Sequence, residues 1–214
     1  MCSRFENKET GESIFKMLKK DFAGKFIIED VEETKQVNIA PTNNILSITS
    51  EEDSYHLKEM NWGIQFNKEK KSPLIFNSRI ETIKDKKFWT NLFYKNRCLL
   101  PATAFYEWKE IGKVKIPHRI SLKNDELFFF PSIFIMIDKE PKASIITTAP
   151  NSFMKNVHRR MPVILKKEKS LNYLNDEPLK ALEYCQPFDD NVEMKIDIAK
   201  EILTQKQKDT LGVN

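Results

Sequence analysis

Between Glu12 and Phe22 the apolar side chains Ile14, Phe15, Leu18 and Phe22 recur at the 3.6-residue spacing of an amphipathic helix with one buried face. Beyond it the period changes. Short runs rich in β-branched and aromatic residues predict strands at Phe26–Ile28, Ile45–Ile48, Leu74–Phe76, Cys98–Leu100, Ala104–Trp108, His118–Leu122, Leu127–Ile137 and Ser144–Thr148, and turn-forming residues separate several of them. After a further run at Met161–Leu165, the segments Lys167–Leu174, Leu179–Cys185 and Ile198–Lys206 read as helices. Strands gathered in the middle with helices at the two ends predict a single α+β domain over residues 2–206, built on a mixed or antiparallel, barrel-like sheet. Residues 207–214 are expected to form a flexible tail, and the lysine-rich stretch Asn67–Lys71 a solvated surface.

Composition narrows the class. The chain has 214 residues, 40% of them hydrophobic and 31% charged, with 5 Gly and 10 Pro, which excludes collagenous, low-complexity and wholly disordered proteins. Its longest apolar stretch, Leu127–Ile137, is interrupted by Pro131 and falls short of the ~20 residues a membrane-spanning helix needs. The first fifteen residues lack an apolar h-region, so a cytoplasmic location is expected. Lys plus Arg total 35 against 31 for Asp plus Glu, a mild excess that permits nucleic-acid binding without requiring it. Cys2, Cys98 and Cys185, and His56, His118 and His158, are too scattered for a disulfide framework or a zinc site, so no metal is expected. GxGxxG, GxxxxGK and GxSxG patterns are absent, which removes the common nucleotide-binding and serine-hydrolase readings.

Cys2 carries distinctive chemistry. Its small side chain beside the initiator favours removal of Met1, which would leave an α-amine of pKa about 7.7–8.0 next to a thiol of pKa about 8.5. Such a 1,2-aminothiol attacks an aldehyde twice: the amine forms an imine and the thiol then closes a five-membered thiazolidine. By position alone, an incidental residue near a terminus is the commoner case.

Five segments occur in order along the chain: Met1-Cys2-Ser3-Arg4-Phe5; Asn38-Ile39-Ala40-Pro41-Thr42; Asn77-Ser78-Arg79-Ile80-Glu81-Thr82; Cys98 through Tyr106-Glu107-Trp108; and Thr147-Thr148-Ala149-Pro150-Asn151 with His158-Arg159-Arg160-Met161-Pro162. Together they resemble the SRAP family, the SOS-response-associated peptidase-like proteins that crosslink to abasic sites in single-stranded DNA. The resemblance covers residues 2 to about 165. It implies an SRAP-like fold and covalent capture of the ring-opened abasic aldehyde on Cys2, with no cofactor. It also implies a DNA-damage role with nucleoid association while bound to DNA. A monomer is expected.

The resemblance implies a catalytic set of Cys2, Asn77, Glu107 and His158, and the residue types agree. Glu107, between Tyr106 and Trp108 on an apolar strand, gains a raised pKa from burial and suits proton transfer at the forming imine. His158 could protonate the sugar ring oxygen or shuttle protons during ring closure. The Asn77 amide both donates and accepts, which suits orientation. Taken singly, Glu107 reads equally as a strand-edge charge, His158 as an interior imidazole and Asn77 as a turn residue. DNA contacts are implied at Arg4, Pro41, Trp62, Arg79, Trp108 and Arg160, the guanidinium forks for phosphates and the tryptophans for bases. Two departures from the family pattern stand out: Trp62-Gly63-Ile64-Gln65 runs into Phe66-Asn67-Lys68 in place of a Pro-Ser-Trp stretch, and Thr103-Ala104 replaces Ser-Gly. β-Elimination from the Schiff base would give lyase activity. Two other readings compete: an N-terminal-nucleophile peptidase or amidohydrolase, and a non-covalent nucleic-acid-binding module.

Overall fold

A computed structural model describes residues 2–29, 31, 35–67 and 72–212. The short strand β1 (Phe5–Asn7) precedes helix α1 (Gly11–Asp21), which Thr10 caps by accepting the Ser13 N–H. Strands β2 (Lys25–Ile28), β3 (Gln36–Ile39), β4 (Asn44–Glu51) and β5 (Ser54–Trp62) follow, and β6 (Asn77–Arg79) runs straight into α2 (Ile80–Asp85) and α3 (Lys87–Lys95). Next come β7 (Arg97–Ala102), β8 (Ala104–Ile111), β9 (Val114–Leu122), β10 (Phe128–Ile137) and β11 (Glu140–Thr148). The chain continues through β12 (Met161–Pro162), β13 (Leu165–Lys166), α4 (Lys167–Asn175), α5 (Pro178–Glu183), β14 (Met194–Ile198) and α6 (Gln205–Leu211).

Strands β5, β4, β7, β10 and β11 pair in that order, and β11 closes the ring by pairing with β5. Directions cannot alternate all the way around five strands, so one adjacent pair must be parallel. That pair is β11 and β5, where Lys142 and Ala143 meet Asn61 and Trp62; the other four are antiparallel. A second sheet, in the order β14-β9-β8-β1-β3, packs beside the barrel. The fold is therefore α+β with a mixed barrel, as the sequence predicts.

Two apolar cores explain the strand sequences. One face of the barrel strands, with Ile48, Leu57, Leu99, Phe129 and Ile146, packs against Ile14, Leu18, Phe93 and Leu171 of the helices. The other, with Met60, Leu100, Phe128, Phe130 and Ile145, packs against Phe5, Phe105 and Ile120 of the second sheet. Strands buried on both faces need no polar alternation, which is why Cys98–Leu100 and Phe128–Phe130 are continuous apolar runs. Arg97 anchors α4 by donating to the carbonyls of Tyr173 (2.8 Å), Leu174 (3.0 Å) and Asp176 (2.7 Å) at the helix end.

Several expectations are corrected. Helices do not cluster only at the ends, because α2 and α3 lie mid-chain with Ile80, Ile83, Leu92 and Phe93 buried. Leu74–Phe76 supplies only an isolated bridge, Ile75 to Ile64, and the strand proper begins at Asn77. Ile198 ends β14 opposite His118, so the helix expected over Ile198–Lys206 is displaced to α6. Thr204 and Gln207 form its capping box, and Gln207 Nε2 donates to Lys115 O (2.6 Å), so much of the expected tail is helix docked on β9. Of the lysine-rich stretch, Asn67 pairs with Ser72, and residues 68–71 lie outside the described residues. No described helix is long and apolar enough to cross a membrane.

Candidate active site around Cys2

The start of the chain is laid along β8. Phe5 is the register partner of both Ile39 and Phe105, Tyr106 N–H donates to Arg4 O (2.9 Å), and Thr103 N–H to Glu6 O (2.9 Å). Cys2 therefore lies beyond Arg4, on the approach to Glu107, and its side chain is fully buried against the second core. Its thiol donates to Arg4 O at 3.4 Å.

Beneath it, Phe5 meets the Trp62 ring edge to face at 5.0 Å. Trp62 Nε1 donates to Phe76 O (2.9 Å), which fixes the residue before Asn77. Strand β6 is held by parallel pairing of Asn77 with Ile145 and by a 2.8 Å contact between the Ser78 and Ser144 hydroxyls. So positioned, Asn77 donates from Nδ2 to Cys2 O at 2.7 Å, while its Oδ1 is buried without a hydrogen-bond partner among the described residues.

Electrostatics join Glu107 and His158 to this pair. Burial pushes the Glu107 carboxyl up to about 7, against the opposing charge of the amino terminus. Burial, then the Glu107 charge, raise the Cys2 thiol far above its ordinary range. Burial, and then the same amino-terminal charge, lower the His158 imidazole. His158 is half-buried, with Nδ1 at 3.1 Å from both the Arg160 N–H and the Arg160 carbonyl, and its neighbours Met154 and Val157 pack on the second core.

The expected DNA contacts separate into two groups. Arg79 is exposed at the end of β6 with no ion-pair partner among the described residues, and Arg4 is half-buried, with Nη1 3.4 Å from Ser3 O. Pro41 is half-buried in a turn closed by Asn43 N–H to Ala40 O (3.0 Å) and tied to Trp62 by Thr42 N–H to Trp62 O (2.7 Å). Thr42 holds φ at 79°, an unfavourable value for a β-branched residue. Arg160 is mostly buried and forked onto Glu81 (2.8 and 2.9 Å) and Thr147 O (2.8 Å).

Neither tryptophan is placed at the cluster as a base-stacking surface. Trp62 is fully buried between Phe5 and Phe76, so it serves the core and offers no ring face to a base. Trp108 follows Glu107 in a pleated strand and so turns to the opposite face of the sheet, the face of Tyr106.

Glu6 is the feature that sequence reasoning missed. It is buried and accepts from Tyr106 Oη (3.0 Å), Thr103 Oγ1 (3.2 Å) and Arg119, which also donates to Asp125 (2.9 Å). Burial alone would raise the Glu6 carboxyl, but the Arg119 hydrogen bonds and charge, with Lys8, hold it below its usual range. This network clamps β1 to β8 and β9 on the face opposite Glu107. No short-range pattern marks it, because Glu6 and Arg119 are 113 residues apart.

Among the described residues no group of three His, Cys, Asp or Glu is placed to hold a metal. A cleft of about 540 Å³, lined by residues including Asn61, Gln65, Leu74 and Lys142, contains none of Cys2, Asn77, Glu107 or His158. The arrangement is a cluster in which the buried Cys2 thiol, the half-buried Asn77 amide and a buried carboxyl titrating near neutrality converge on the start of the chain.

A closed mixed barrel with a second sheet that presents a buried cysteine at the start of the chain is an SRAP-type domain. The fold has a counterpart in the crystal structure of a protein from Bacteroides thetaiotaomicron, with a TM-score of 0.75 at 23% identity, covering 92% of this chain and 91% of that one. The family described as SOS response associated peptidase (SRAP) matches residues 1–202. The chain is 34% identical over 201 residues to the abasic site processing protein YoqW of Bacillus subtilis (strain 168), covering 88% of each. It is 38% identical over 147 residues to the abasic site processing protein YoaM of the same organism, covering 64% of this chain and 65% of that one. This chain belongs to the SRAP family.

Proposed function

We propose that this protein processes abasic sites, binding single-stranded DNA and capturing the ring-opened sugar aldehyde on Cys2. The names of YoqW and YoaM support the substrate. The observation that carries the chemistry is the 2.7 Å bond from Asn77 Nδ2 to Cys2 O beside a buried Glu107, which fixes the backbone of the nucleophile next to a proton-transfer group.

The reaction begins once Met1 is removed. His158 exchanges the proton that opens the sugar hemiacetal to its aldehyde. The free Cys2 amine adds to the aldehyde carbon, and the carbinolamine loses water with a proton from Glu107, leaving an iminium. The thiol then adds to the iminium carbon and gives its proton to the Glu107 carboxylate. One C–N and one C–S bond form, the C=O bond breaks, and one water leaves. A carboxyl titrating near 7 suits both directions of transfer, which also allows reversal.

Burial holds the Cys2 thiol neutral, which supports addition to a strong electrophile such as an iminium over a standing thiolate attacking peptides. Single-stranded DNA is the favoured substrate because an abasic nucleotide there needs no unpairing to enter a site. Arg79 and Arg4 supply phosphate contacts, and Arg160 joins them if Glu81 yields its place.

The test is intact mass spectrometry of protein verified to begin at Cys2, incubated with a single-stranded oligonucleotide bearing one abasic site. The expected product is a stable adduct of protein plus DNA minus one water, absent with Cys2→Ala and with undamaged DNA. No adduct from the processed wild-type chain overturns the reading.

A further inference from the structure

Three aromatic rings stand together at the surface. Phe66, Phe88 and Trp89 meet edge to face, with centroids 5.6 Å apart for Phe66–Phe88, 6.4 Å for Phe66–Trp89 and 5.4 Å for Phe88–Trp89. Phe66 and Phe88 are 45% and 49% exposed, while Trp89 packs against the first core and roots the cluster in the fold. Rings gathered in this way leave apolar area in water that a bound partner would cover.

The surrounding charge selects the partner. Lys84, Lys86 and Lys87 are exposed, and none has an ion-pair partner among the described residues, although Asp85 lies between them in sequence. The first turn of α3 contains no acidic residue and no side-chain cap, so Lys86 and Lys87 add to the positive potential of that end of the helix instead of being offset there. Lysines are depleted from the apolar centres of protein–protein interfaces, whereas single-strand-binding surfaces combine stacking rings with cations.

The patch also lies within reach of the Cys2 cluster. Ile64 bridges Ile75, and Ser72 N–H donates to Asn67 O (3.1 Å), so this strap doubles back with Phe66 beside Pro73. Pro73 is four residues from Asn77, about 13 Å of extended chain. That is the span of about four stacked nucleotides at roughly 3.4 Å each.

We propose that Phe66, Phe88 and Trp89, with Lys84, Lys86 and Lys87, form a second contact surface for the same DNA strand, stacking bases that flank the captured lesion. The proposal rests on the single-strand reading above. The rings take over base stacking from Trp62, which the fold buries, and the lysines beside them contact the backbone of the stacked segment.

The experiment compares processed wild-type protein, Phe66→Ala/Phe88→Ala and Lys86→Ala/Lys87→Ala on oligonucleotides of 3 and about 12 nucleotides. The probe is a tetrahydrofuran abasic analogue, which has no aldehyde and reports non-covalent binding alone. The wild type is expected to bind the longer strand more tightly, and the aromatic variant to lose about tenfold of that advantage. The lysine variant is expected to show a shallower dependence on salt for the long strand. A length advantage kept in full by the aromatic variant overturns the proposal, as does an equal loss on both lengths. A wild-type dimer in sedimentation that the aromatic substitutions abolish also overturns it, since the patch would then join two copies of the chain. Failure of the capture chemistry is separate: it appears as absence of adduct on genuine abasic DNA of either length with the wild-type chain.

Discussion

The side-chain amide of Asn77 and the backbone carbonyl of Cys2 meet at 2.7 Å across 75 residues of sequence. This bond sets the start of the chain over the first residue of β6, and the buried Oδ1 of the same amide has no hydrogen-bond partner among the described residues, an acceptor that the proposed capture reaction would use. Asn77→Ala is expected to slow covalent capture by about 100-fold while lowering stability by only about 1 kcal/mol, since positioning weighs more in the rate than one hydrogen bond does in folding. Single-turnover gel assays with urea denaturation check both halves.

Glu107 couples stability to pH and, in the proposed reaction, couples the capture rate to it as well. Burial raises its folded carboxyl from 4.5 to about 7, so between those values the native protein keeps a proton that the unfolded chain has lost. Its contribution to stability is therefore fully present below about 4.5 and declines as pH rises toward 7, by on the order of 3 kcal/mol at ~1.4 kcal/mol per unit. Glu107→Gln is expected to flatten that slope in urea midpoints measured from pH 4.5 to 8. It is also expected to remove the inflection near pH 7 in the capture rate.

Glu6 has the opposite sign. Its folded carboxyl is lowered, so the clamp stabilises the protein above the ordinary carboxylate range and is lost as pH falls through the folded value. Arg119→Met leaves a buried carboxylate without its main partner and is expected to cost about 3–5 kcal/mol at pH 7, with a much smaller penalty near pH 3. Tyr106→Phe removes one hydrogen bond and should cost about 1 kcal/mol. Chemical denaturation at the two pH values separates these cases.

Gly63 turns the chain out of the barrel immediately after Trp62. Its φ of +129° is one that side chains rarely adopt, and a Cβ there would stand 2.7 Å from Leu74 Cδ1. Gly63→Ala is expected to destabilise the protein by about 1–3 kcal/mol and to displace the strap that bears Phe66. Thermal unfolding reads the first effect, and affinity for a 12-nucleotide strand reads the second.

The strands easiest to see in the sequence are those buried on both faces, such as Phe128–Ile133 and Cys98–Leu100. Strand β5 escaped notice because most of Ser54–Trp62 is polar and only Leu57, Met60 and Trp62 are buried. β1 and β3 are three and four residues long, too short for a periodic signal. Cys2, Asn77 and Glu107 were legible as a set through the ordered family motifs, and the fold brings their positions together. The roles expected for Trp62 and Trp108 were not legible, because motif spacing does not say which face of a strand a ring occupies.

The sequence by itself determined the α+β class, the strand-rich middle of the chain, the family and the residue types able to form and close an imine. Only the tertiary structure decided that five strands close with one parallel pair and that Glu107 is buried enough to titrate near neutrality. It also decided that Arg160 is held by Glu81 and that Glu6 with Arg119 clamps the strand leading back to Cys2. The division has a physical cause. Period and composition report what a residue and its near neighbours prefer, whereas burial, ion pairing and pKa depend on groups far apart in sequence that only the closed barrel and its second sheet bring within a few ångströms.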